Sequence, residues 1–141
     1  MSKLSEFVDR HYSAVNKGDV DAATAEMADD IDNMFPGAGK VPGKDGFKMF
    51  TAPFFKAFPD AKIRIVNQAE SGDTVITEGV YTGTHTGPLA SPQGEVPPTG
   101  RKIDLHFCDI FEVNGGKAVA HRLYFDNGEF MSQLGLMPAG A

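Results

Sequence analysis

Two aspartates and an arginine, Asp109, Arg122 and Asp126, stand among phenylalanines and tyrosines in the last third of the chain. A carboxylate in apolar surroundings holds its proton more tightly than in water, so it can act as a general acid or base near neutral pH. An Asp109–Arg122 pair on neighbouring strands has a second reading, an ordinary ion pair of a sheet. Asp126 closes a strand just before a turn and a helix, where its side chain either points into a cavity mouth or caps the helix. Among the histidines, His11 lies on an apolar helical stripe and reads as pocket wall or hydrogen-bonded core. His85, in Gly83-Thr84-His85-Thr86-Gly87, closes another strand and reads as a gate or substrate contact. His106 and Cys108 share a face at strand spacing, but no second pair completes a ligand set, so no metal is expected. The sequence has no GxGxxG, no GxSxG and no phosphate loop, and no nucleotide cofactor is expected.

The elements that must position these groups are helices first and strands afterwards. Leu4, Phe7, Val8, His11, Tyr12 and Val15 follow the stripe of an amphipathic helix from about Ser2 to Lys17, with Gly18 where a left-handed cap would sit. Asp19 suits the N-cap of a second helix carrying Val20, Ala23 and Met27, ended by Asp29-Asp30 and the β-prone stretch from Ile31 to Phe35. A loop spans Pro36 to Gly43. Phe47, Phe50, Phe54 and Phe58 recur at helical spacing, and Pro53 inside them should kink or split that helix. From Lys62 the period changes. Ile63 to Ala69, Asp73 to Thr86, Arg101 to Val113 and Lys117 to Asp126 read as strands joined in part by Ser71-Gly72-Asp73 and Asn114-Gly115-Gly116 turns. The proline-rich run from Gly87 to Gly100, with Pro88, Pro92, Pro97 and Pro98, reads as a flap. A closing helix, Asn127 to Leu134, precedes Gly135 and Pro138. The order predicts one α+β domain over residues 1–141, with N-terminal helices on one face of a curved, largely antiparallel sheet.

A plain hairpin turn at Asn114 to Lys117 would set Val113 opposite Ala118, and then Asp109 opposite Arg122, Phe107 opposite Tyr124 and Leu105 opposite Asp126. Leu105, Phe107, Asp109, Phe111, Arg122, Tyr124 and Asp126 would share the pocket face. His106, Cys108, Ile110, His121, Leu123 and Phe125 would take the other, and a β-bulge would move the assignment by one residue. Neither face is purely polar, so both should be covered, one by helices and one by a second subunit in a homodimer or higher oligomer.

Composition narrows the classes. Nineteen acidic against thirteen basic residues give a net charge of −6, which repels polyphosphates, so nucleic acid is not expected as a partner. One cysteine, Cys108, makes an internal disulfide framework impossible and fits a reducing compartment. No apolar run approaches the roughly 20 residues of a membrane span, and a soluble, cytoplasmic protein is the expectation.

Several segments, taken in order, resemble the SnoaL-like polyketide cyclases of the NTF2-like superfamily: Ala14-Val15-Asn16-Lys17-Gly18-Asp19-Val20-Asp21, Ala57-Phe58-Pro59-Asp60, Gly83-Thr84-His85-Thr86-Gly87-Pro88-Leu89, Pro97-Pro98-Thr99-Gly100-Arg101-Lys102, Asp109-Ile110-Phe111, Tyr124-Phe125-Asp126 and Gln133-Leu134-Gly135-Leu136. The resemblance implies a cone-shaped α+β barrel enclosing a pocket for a hydrophobic small molecule. It implies intramolecular aldol closure of a polyketide ring, needing no metal or cofactor, with Asp126 as acid/base and His85 and Asp109 as helpers. Arg122, Tyr124, Phe107, His11, Tyr12 and Asn33 are the expected substrate-binding residues. The Asp–Arg–Asp set also resembles that of limonene-epoxide-hydrolase relatives, which makes epoxide opening an alternative. A ligand-binding module without turnover is a third.

Overall fold

The computed structural model describes residues 2–91 and 94–136; Pro92 and Pro138, both used above, lie outside them. Helix α1 (Lys3–Asn16) starts at Ser2, whose hydroxyl accepts from the Ser5 N–H, and buries Phe7, Val8, His11 and Tyr12. Helix α2 (Val20–Thr24) is capped by the Asp19 carboxylate as its sequence predicts. It is shorter than expected, because Met27 opens strand β1 (Met27–Phe35), where it is buried. Strand β2 (Gly39–Lys40) folds back on β1.

Helix α3 (Gly43–Ala57) runs unbroken through Pro53, contrary to the expected kink or split. Proline removes one hydrogen bond to the carbonyl four residues earlier, that of Met49. Met49 is 76% exposed, so this turn of the helix faces water, which can satisfy the freed carbonyl.

The remaining strands are β3 (Lys62–Ser71), β4 (Thr74–Thr84), β5 (Leu89–Ser91), β6 (Gly94–Val96), β7 (Lys102–Asn114) and β8 (Lys117–Tyr124), before helix α4 (Asn127–Gln133). The main sheet has the order β2-β1-β8-β7-β4-β3 and is antiparallel except where β1 runs parallel to β8. Helix α3 packs on β1, α1 on β3 and α4 on β7, so the helices cover one concave face. One core cluster joins Phe7, Val8, Ile31, Phe35, Phe47 and Phe111; a second gathers Phe58, Leu89, Ile103, Leu105, Phe130 and Leu134.

The described residues of the proline-rich segment pair as strands β5 and β6 rather than forming a flap over the pocket. Leu89 is buried against the second cluster, and no described residue from 87 to 98 lines the main cavity.

The β7–β8 register departs from the simple hairpin. Val113 faces Ala118 as expected, but the next pair is Glu112 with Ala120, which leaves Val119 as an extra, unpaired residue. Beyond this bulge Phe111 faces His121, Ile110 faces Arg122, Asp109 faces Leu123 and Cys108 faces Tyr124. Cross-strand partners share a face, so the bulge exchanges the two sets on β8: His121 and Leu123 turn inward, Arg122 and Tyr124 outward.

Candidate active site

The helices and the inner sheet face enclose a cavity of about 120 Å³ with an almost wholly apolar wall. Half-buried lining residues lie at the end of α1 (Val15), in the second half of α3 (Thr51, Phe55), at the start of β3 (Ile63) and at the end of β8 (Leu123). Phe107 spreads across Gly79, the residue facing it on β4. A Cβ at Gly79 would lie 2.7 Å from the Phe107 ring, so only glycine lets this wall lie flat.

Into this wall the bulge brings a buried polar cluster. Asp109 Oδ1 accepts from His121 Nε2 at 2.5 Å, and Asp109 Oδ2 accepts from the Tyr12 hydroxyl at 2.6 Å. All three residues are buried and line the cavity. Burial alone would raise the proton affinity of Asp109. The attraction of His121, its hydrogen bond and that of Tyr12 outweigh burial, and the carboxyl is held below its ordinary range. Burial and the neighbouring Asp109 charge push the Tyr12 phenol well above its usual value, so it stays protonated and donates. Because a carboxylate only accepts, His121 carries a proton on Nε2, and its Nδ1 is left buried with no hydrogen-bond partner. The ring is fixed by Phe111, Phe35 and Phe47, with centroids 4.6, 5.3 and 5.3 Å away. A carboxylate bonded to one nitrogen of an imidazole, with the other nitrogen unpartnered, is an arrangement that acid–base chemistry can use.

Of the residues expected at the site, Asp109, Phe107, His11 and Tyr12 line the cavity. His11 Nδ1 donates to the Ala23 carbonyl at 2.9 Å, and burial lowers its proton affinity. Arg122 and Tyr124 do not face the cavity, because the Val119 bulge turns them outward. Arg122 stands 3.8 Å from Glu112, so the expected Asp109–Arg122 pair is replaced by Asp109–His121. Asp126 is exposed, lies outside the cavity and accepts from the Glu129 N–H at 3.1 Å as the N-cap of α4. The Asp–Arg–Asp set is therefore not assembled in one pocket. His85 is fully buried away from the cavity, its Nδ1 accepting from the Thr99 N–H at 3.2 Å, and its ring lies against Phe58. Asn33 is buried too, but its amide donates to the Val41 and Gly43 carbonyls and pins the loop after β2. His121 and Leu123 are the residues that the sequence assigns to the outer face and the bulge turns inward.

Among the described residues no group of three histidines, cysteines, aspartates or glutamates is disposed to hold a metal ion, and no helix is long and apolar enough to cross a membrane.

Helices packed over a curved, mainly antiparallel sheet, with a polar cluster deep in an apolar pocket, make up a fold of the NTF2-like type. The sequence model of the SnoaL-like polyketide cyclases matches residues 6–134, and the chain belongs to that family. Solved structures agree on the fold. A protein from Jannaschia sp. CCS1 assigned as a SnoaL-like polyketide cyclase superposes with a TM-score of 0.82 at 23% identity, covering 95% of this chain and 92% of that one. AclR from Streptomyces galilaeus, assigned as a hydroxylase, gives 0.81 at 22% identity over 95% and 96%. IdmH from Streptomyces antibioticus, assigned as a polyketide cyclase, gives 0.79 at 27% identity over 95% and 99%. No curated protein matches the chain.

Proposed function

We propose that this chain is a cyclase-type acid/base enzyme that removes a proton from a carbon next to a carbonyl in a hydrophobic substrate and promotes an intramolecular aldol closure. The observation that carries the reading is the free, buried Nδ1 of His121 beside a cavity, with Asp109 bonded to the other ring nitrogen. His121 Nδ1 takes the carbon-bound proton, and ionised Asp109 stabilises the imidazolium that results. The enolate carbon then attacks the second carbonyl carbon, a C–C bond forms, and the new alkoxide recovers the proton from Nδ1. Tyr12 fixes Asp109 without titrating. The apolar wall keeps out water that would otherwise protonate the enolate. In this proposal Asp126 caps α4 and takes no part in proton transfer.

The test follows exchange of the α-hydrogens of β-tetralone for deuterium in D₂O by NMR, which reads proton abstraction without requiring the natural substrate. The wild-type protein should accelerate exchange, and His121→Gln and Asp109→Asn should lower that acceleration by about 10²–10⁴, whereas Asp126→Asn should leave it unchanged. Undiminished exchange by a folded His121→Gln protein would remove the dyad from the mechanism.

A further inference from the structure

The cavity also limits what it can hold. At about 120 Å³ it is far below the roughly 300–1,000 Å³ usual for ligand pockets. It is closer to the apolar cavity of about 150 Å³ that takes up benzene. Phe35 and Phe50 stack face to face with centroids 4.0 Å apart, which narrows the space on the α3 side. Charge sets a second limit. Among the described residues no lysine or arginine lines the cavity, and its one carboxylate, Asp109, already holds two donors. An anionic ligand would give up its hydration and meet Asp109 with no cation to offset it. A neutral ligand avoids that cost, and one polar atom suffices to partner His121, which lines the cavity and whose Nδ1 has no hydrogen-bond partner.

We infer that the ligand of this cavity is an uncharged compound of one or two rings' size that carries a hydroxyl or an enolisable carbonyl. The identity of that polar group rests on the acid/base reading; the limits on size and charge rest on the cavity alone. The aldol product released here would then be a mono- or bicyclic ring rather than a polycyclic skeleton.

Titration calorimetry with four probes tests this: para-cresol, β-naphthol, phenanthrol and para-hydroxybenzoate, at a pH where the benzoate is ionised. The first two should bind the wild-type protein at one site. Phenanthrol should bind at least about tenfold more weakly than β-naphthol despite its larger apolar surface, and para-hydroxybenzoate at least about tenfold more weakly than para-cresol. Phe50→Ala, or Phe50→Leu should the first not fold, should strengthen phenanthrol binding relative to β-naphthol. Phenanthrol displacing β-naphthol from the wild-type protein at equal or lower concentration would overturn the size limit. Equal affinity for para-hydroxybenzoate and para-cresol would overturn the charge limit. These outcomes are separable from failure of the acid/base reading. Small phenols that bind while His121→Gln leaves deuterium exchange intact would refute the mechanism and keep the size limit; dyad-dependent exchange with tight phenanthrol binding would do the reverse.

Discussion

Replacing Tyr12 by Phe removes one oxygen and keeps the ring, so its effect isolates the bond to Asp109. The ring contacts with His11 and Phe107, at centroid distances of 4.9 and 6.1 Å, are retained. What is lost is a buried hydrogen bond of 2.6 Å to a carboxylate, worth about 1.5–3 kcal/mol for a charged acceptor. Unfolding entropy of about 0.3 kcal/mol per kelvin for 141 residues converts this to a Tm fall of about 5–10 °C. Its pH dependence carries the diagnosis. The folded carboxyl lies below its ordinary value, so its contribution to stability is complete above the unfolded pKa of about 3.9 and is lost as pH falls through the lower folded value. Tyr12 is one cause of that depression, so Phe moves the folded value upward. The Tm difference between wild type and Tyr12→Phe should therefore be full near about pH 7 and shrink toward about pH 3. Melting curves followed by circular dichroism across that range measure it. A Tm loss that does not change with pH would show that the bond to ionised Asp109 is not its source.

Asp126→Ala should cost about 0.5–2 kcal/mol through the lost cap of α4, read by melting, with deuterium exchange unchanged. Arg122→Ala should shift stability by no more than about 0.5 kcal/mol in a denaturant titration, since the guanidinium is part-exposed and 3.8 Å from its partner. Gly87→Ala should lower Tm by about 10 °C, because a Cβ there would lie 2.1 Å from the Lys56 carbonyl oxygen and force backbone apart. The outward sheet face exposes Ile76 and Tyr124, at 38% and 45%, and a second copy of the chain is the proposed cover. Light scattering on a sizing column should report a dimer or larger, and a monodisperse monomer at micromolar concentration would defeat it.

Helix α1 and the strands were legible because their signals are local: a capping serine, a stripe of apolar residues, and β-branched runs between Gly-containing turns. Met27 and Pro53 were misread for the opposite reason. Their propensities were overruled by a strand partner in one case and by solvent access in the other. Asp109 and Phe107 could be placed at the cavity because β7 alternates without interruption from Ile103 to Phe111, and His11 and Tyr12 because they lie on the apolar stripe of α1. His121 could not, since one unpaired residue inverts β8. The inward residues are Ala118 before the bulge and His121 and Leu123 after it, so the inward set changes parity at Val119. Alanine fits either face, so the break in phase is weak until the pairing partner is seen.

The polar cluster joins distant parts of the chain. Asp109 and His121 are 12 residues apart on one hairpin, but Tyr12 reaches Asp109 across 97 residues. The hairpin can pair as soon as β8 leaves the ribosome, whereas the Tyr12 bond closes the longer loop and bears the larger entropic cost. During synthesis α1 must therefore wait, its tyrosine without a carboxylate, until almost every strand has been made. A chain cut short before β8 lacks the strand that joins β1 to β7, and with it the imidazole that Asp109 holds. On the proposed mechanism the cluster is completed as one of the last events of folding, since its members come from both ends of the chain.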